Sequence, residues 1–158
     1  MTGAACGSPA APPARLQARV TRPAMDTLRF EAPAAASRCG RAGHVLLRGS
    51  EGGNGVLVWL RSADSLAGGE FPLLARGDSV ASRGAVVAVR FMLGEAAHGF
   101  TFDSGAVFLT RTAGLLSATA RGSGSDSDPA GVAGRVALDA SFQSVPLGSD
   151  TVACQVRL

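Results

Sequence analysis

The chain contains no lysine, no isoleucine and no tyrosine, and its one asparagine is Asn54. All of these residues have AT-rich codons, so a GC-rich coding sequence accounts for the pattern. Without lysine, the fixed positive charges are all arginines. They are spread along the chain without a cluster, and aromatics make up only 5% of it. Nucleic-acid binding needs a basic stripe and rings for base stacking. The net charge of +3 therefore reads as scattered, solvated arginines, and no nucleic-acid partner is expected. Long apolar runs are also missing. The best, Gly84 to Leu93, is too short for the ~20 residues of a membrane helix and carries Arg90. No segment holds a clear helical period over about ten residues, which argues against βαβ units.

What is present is the texture of a folded domain. The 158 residues are 46% hydrophobic and 17% charged, enough to bury a core. The 21 glycines are spaced as turn punctuation, which suits an all-β fold with many short connections. Residues 1–33 differ from the rest. Alanine, proline and arginine dominate there, and such tracts favour an extended arm or tether. Residues 34–158 read as a single antiparallel β domain.

Within that domain, Gly43–Arg48 and Asn54–Arg61 read as a hairpin across a glycine-rich loop. Ser62–Gly68 has room for one helical turn. Glu70–Ala75 contains Pro72 and is demoted to an edge. Arg83–Leu93 is apolar on both faces except at Arg90, so it belongs in the centre, covered on its second face by a loop or a partner. It pairs with Phe100–Thr110 across a break at Gly94–Gly99. Gly114–Arg121 alternates weakly, and Gly122–Pro129 reads as a flexible loop. Gly134–Phe142 alternates cleanly, Pro146–Ser149 reads as a turn, and Asp150–Leu158 alternates again with Val152, Cys154, Val156 and Leu158 inward. Short alternating runs between Gly/Ser/Pro turns predict an antiparallel β-sandwich, with a small β-barrel as the alternative.

The cysteines are Cys6, Cys39 and Cys154. A Cys39–Cys154 disulfide would tie the start of the domain to its end, and closing so long a loop contributes roughly 4–5 kcal/mol on the chain-entropy estimate. The alternative is two buried thiols. Cys6 then stands alone in Gly3-Ala4-Ala5-Cys6-Gly7, which resembles the end of a bacterial lipoprotein signal. That resemblance implies an acylated Cys6, a flexible tether and a folded extracytoplasmic domain, in the periplasm or on the outer surface. The charged and apolar leader it also implies would lie upstream of Met1 or have been removed.

Residues that carry chemistry are sparse. Gly77-Asp78-Ser79-Val80 resembles the nucleophile block of GDSL-type hydrolases but lacks their later Asp-x-x-His, so an Asp/Ser turn bonding its own backbone is the better reading. Arg76-Gly77-Asp78 spells an integrin-type tripeptide, a common chance occurrence. His98, Asp103 and Ser104 lie too close along the chain for a catalytic triad. Metal ligation has no suitable His/Cys spacing. Asp126 and Asp128 lack the bidentate glutamate of a calcium loop and read as solvated.

Trp59 and Arg61 are candidate binding residues. The tryptophan is either sheet core or a stacking platform for a sugar ring or a partner arginine. Arg90 inside an apolar run must find a carboxylate or carbonyls, or lie at an edge, with Glu70, Asp103 or Asp139 as candidate partners; a structural ion pair is the better reading than anion binding. The expectation is a non-enzymatic cell-envelope binding module without cofactor. Its partner would be a glycan or an envelope protein, and the membrane would be met only through a lipid on Cys6. The alternatives are a self-assembling structural subunit or, at a further remove, a hydrolase on a β scaffold.

Overall fold

The computed structural model describes residues 7–63, 65–128, 130–131 and 133–154. Nine strands run in chain order: β1 (Arg15–Thr21), β2 (Leu28–Cys39), β3 (His44–Glu51), β4 (Asn54–Arg61), β5 (Gly69–Pro72), β6 (Gly84–Leu93), β7 (Ala96–Thr112), β8 (Leu115–Asp126) and β9 (Val136–Val152). Eight of them close into a ring in the order β1-β2-β3-β4-β6-β7-β8-β9 and back to β1. Each neighbouring pair is antiparallel, so the chain goes up and down around one barrel. Short β5 pairs with the far half of β7 beyond the end of β6. The fold is all-β, as alternation predicts, but it is a closed barrel and not a sandwich. A single continuous core replaces two facing sheets, because β9 pairs with both β8 and β1 and leaves no free edge.

Alternation along each strand sends one set of side chains inward. Phe71, Phe100, Phe102, Phe142, Leu16, Leu47, Leu60, Leu109 and Leu116 are fully buried. They pack in one cluster with Val56, Val58, Val87 and Val89, filling the space an eight-stranded barrel encloses. On β1 and β2 the outer wall carries charged residues such as Arg15, Arg19 and Glu31.

Several boundaries differ from the sequence reading. Residues 15–33 are not an arm. In β1, Leu16, Ala18 and Val20 alternate inward at 0%, 5% and 0% exposure, a period hidden by the surrounding Ala, Pro and Arg. The β6–β7 connection is tighter than Gly94–Gly99, since strand resumes at Ala96. Gly122–Asp126 is strand and not loop. A Cβ at Gly124 would collide with the Thr101 carbonyl oxygen, and one at Gly122 with that of Ser104. These glycines let β8 approach β7 where the β7–β8 register shifts between Phe102 and Ser104. Pro146–Ser149 is no turn either. β9 runs through it and joins β2 in a parallel seam, with Ala36 opposite Leu147 and Cys39 opposite Val152. Ser62–Gly68 contains no helical turn among its described residues.

At the end of that seam Cys39 and Cys154 form a disulfide with Cα atoms 5.5 Å apart, spanning 115 residues. Cys6, Val156 and Leu158 lie outside the described residues.

Candidate functional site

The outer face of β3, β4 and β6 is built in cross-strand rows. Arg61 lies between His44 and Gly84, Trp59 between Leu46 and Val86, Leu57 between Arg48 and Ala88, and Gly55 between Ser50 and Arg90. Leu46, Val86 and Ala88 are 6%, 3% and 2% exposed although they point away from the barrel core. Part of their cover is the segment 73–83, which leaves β5 and crosses the outer wall before β6. Gly84 makes room for it: a Cβ there would come within 2.6 Å of Leu74 Cγ. The Leu74 amide also donates to the Ala85 carbonyl at 2.8 Å. The start of the second face of β6, from Gly84 to Val86, is thus covered by a loop of the same chain, one of the two covers its sequence predicts.

Between this strap and the wall lies a cleft of about 840 Å³, lined by Arg41, His44, Trp59, Arg61, Arg76 and Asp78 among others. Its centre is Arg61, only 5% exposed. The Arg61 guanidinium stacks 4.3 Å from the Trp59 ring centroid, a cation–π contact strengthened by desolvation. Its Nη1 reaches Asp78 Oδ1 at 3.4 Å, and its Nη2 donates to the Asp78 carbonyl. Asp78 Oδ1 also accepts the amides of Val80 at 3.0 Å and Ala81 at 2.9 Å. This is the Asp turn that its sequence predicts, and it pins the strap to Arg61. The Ala81 and Val80 amides, with Arg61, hold the Asp78 carboxyl below the usual carboxylate range. Burial, helped by Arg41 and Arg61, lowers the His44 pKa below its ordinary value. The His44 ring is therefore mainly neutral at neutral pH.

Three polar atoms behind this cleft are buried without a hydrogen-bond partner among the described residues: His44 Nδ1, Trp59 Nε1 and Arg61 Nε. Leaving such an atom unpaired costs about 1–3 kcal/mol. Grouped at one place, they mark hydrogen-bonding capacity the described chain does not use.

Of the residues singled out in the sequence, Trp59 and Arg61 meet in the cleft. Trp59 is half-buried on the outer wall and does not belong to the barrel core. Arg90 is absent from the cleft but lies on the same face, in an adjoining hollow with Arg48, Leu57 and Ala88. It pairs with none of its expected carboxylates. Asp103 is held by Arg135, and Asp139 by Arg19 and Arg121. The Arg90 side chain points outward and is exposed, so it needs no partner.

The imagined triad does not assemble. His98 Nδ1 lies 3.6 Å from Asp126, while Asp103 is occupied by Arg135. Asp126 and Asp128 accept the amides of Asp128 and Ala130 at 2.9 Å each, and no metal-holding group occurs among the described residues. Arg41, His44, Arg76 and Asp78 were not identified as site residues from the sequence. The available signal was Trp59 and Arg61 two apart on an outward face, which implies cross-strand companions without naming them.

Comparison of the chain with protein-family models, with curated proteins and with solved structures finds no match.

Proposed function

We propose that this protein is a non-enzymatic binding module of the bacterial cell envelope, tethered through Cys6, and that the cleft at Trp59 and Arg61 receives its ligand. The observation that supports this best is the surplus of donors there. Arg41, Arg61, Arg76 and His44 line the cleft with one carboxylate, Asp78, which is already committed to Arg61 and two amides. An acceptor-rich ligand would pair with the exposed Arg41 and Arg76 guanidinium groups. The volume falls in the range of small-ligand sites. The Cys39–Cys154 disulfide fits an oxidising compartment. Hydrolysis is disfavoured by the same geometry. Asp78 is committed to Arg61 and two backbone amides, and His44 Nδ1 has no hydrogen-bond partner among the described residues, which supports binding over acid–base chemistry at this cleft.

Trp59 is the only tryptophan, so intrinsic fluorescence reports on this site alone. Titrating the intact chain with soluble fragments of envelope polysaccharide should give a saturable change in Trp59 emission. Reversing the exposed Arg41 and Arg76 to glutamate should abolish it. A flat response across a panel of neutral and acidic fragments sinks the reading.

A further inference from the structure

We infer that the ligand is a linear acidic polysaccharide lying along the outer face of β4, from the Arg61 cleft to the Arg48–Arg90 hollow. This rests on the proposed binding role and names its ligand class. The two hollows share one wall. Along β4, Arg61, Trp59, Leu57 and Gly55 point outward in succession, and Arg90 sits opposite Gly55. Six residues separate the two ends, about 20 Å of strand. A small ligand filling the cleft would not touch Arg90, but an extended one would.

The part-exposed floor between the ends is apolar, formed by Trp59 and Leu57 over the buried Val86 and Ala88. The ends are basic: the exposed Arg41 and Arg76 at one, beside the buried Arg61 paired with Asp78, and Arg48 and Arg90 at the other. Arg76 and Arg90 also line a common hollow with His98, so the basic groups form a continuous track. Carboxylates are few along it. Asp78 is committed to the strap, Asp128 accepts its own loop amide, and Glu51 sits at the hairpin end of the second hollow.

Apolar floor and regularly spaced cations together match a chain of uronate sugars. Their C–H faces pack on side chains such as Trp59 and Leu57, while their carboxylates meet guanidinium groups in a planar, two-point fashion. An acidic peptide supplies the charge without rigid apolar faces. Nucleic acid would want more rings than the one tryptophan of this face offers.

The test uses the intact chain and oligogalacturonates of increasing length, with their methyl-esterified, neutral counterparts, read by Trp59 fluorescence and by calorimetry. Affinity should rise with length until one oligomer spans both hollows, fall with salt as exposed charge pairs are screened, and be lost on esterification. Arg90→Ala should weaken the long oligomer by about two- to fivefold, the range of an exposed charge pair, and leave the shortest fragment unchanged. Arg41→Ala should weaken both. Neither side chain is buried, so folding is not at stake.

Equal binding of neutral and acidic oligomers overturns the inference while the binding role stands. An unchanged long-oligomer affinity in Arg90→Ala overturns the span. Tighter binding of polyglutamate or of an oligonucleotide overturns the saccharide assignment. No binding by any fragment overturns the inference together with the site.

Discussion

The two walls of the barrel handle charge in opposite ways. On the β2–β1–β9–β8 side, outward charges pair across strands. Arg15 meets Glu31 at 3.7 Å, Arg19 meets Asp139 at 3.3 Å, and Arg121 meets the same Asp139 at 3.8 Å. Gln17 donates to Glu31 at 3.1 Å. On the β3–β4–β6 side, apolar side chains fill the outward rows, arginines collect at both ends, and His44 Nδ1, Trp59 Nε1 and Arg61 Nε have no hydrogen-bond partner among the described residues. Identical strand geometry serves both. What differs is whether each outward group finds its complement within the chain. The first wall carries cross-strand ion pairs of its own, while the second, on the proposed reading, leaves room for a ligand.

Four changes sharpen or break this contrast, from the largest effect down. Reducing the disulfide, or Cys154→Ser, should lower unfolding stability by about 3–5 kcal/mol, seen as a reduced denaturant midpoint. The loss should fall on the β2–β9 seam of the ion-paired wall and leave Trp59 emission in the folded state unaltered.

Arg61→Ala should cost about 2–3 kcal/mol, since it removes a buried guanidinium with several hydrogen bonds. Faster hydrogen exchange at the Val80 and Ala81 amides should accompany it, because Asp78 then loses its hold on the wall. Asp78→Ala should not add fully to it.

The third effect is a pH dependence. The His44 pKa is lower folded than the unfolded value of 6.5. The neutral ring is thus favoured by the fold, and its contribution is complete above pH 6.5. It is lost as the pH falls through the folded pKa. Stability should decline over that interval, and His44→Gln should flatten the decline. A slope that survives in His44→Gln would place the dependence elsewhere.

Smallest of all, Arg19→Ala should change stability by no more than about 0.5 kcal/mol, because exposed pairs gain little over solvated charges. A loss as large as that of Arg61→Ala would erase the distinction between the walls.

Much of the barrel is readable from local pattern. Val136, Leu138, Ala140 and Phe142 alternate as strand and are buried, and so do Val56, Val58 and Leu60. The elements that escaped have physical reasons. In β1 and β2 the core positions are held largely by alanines, among them Ala18, Ala32 and Ala36, which carry little hydrophobic contrast against an Ala-rich background. Gly122 and Gly124 look like linker residues because their role, close approach to β7, is set by a distant strand. Closure itself depends on β9 meeting both β8 and β1, and nothing in either strand encodes that the sheet returns on itself. The site was half legible. Trp59 and Arg61 stand out as unusual outward residues in an apolar run, but their neighbours arrive from β3 and from the strap by tertiary folding.

The position of the sulfur bridge has a mechanical consequence. It joins the end of the second strand to a residue just after the ninth, so the polypeptide between them is a covalent loop of six barrel strands plus β5, and of the nine strands β1 and most of β2 lie outside it. A force applied at the leading end can draw out those outer pieces, and the slack stops at Cys39. A protein suspended from its front end would therefore lengthen by a fixed amount under load while the β3–β4–β6 wall stayed inside the covalent loop.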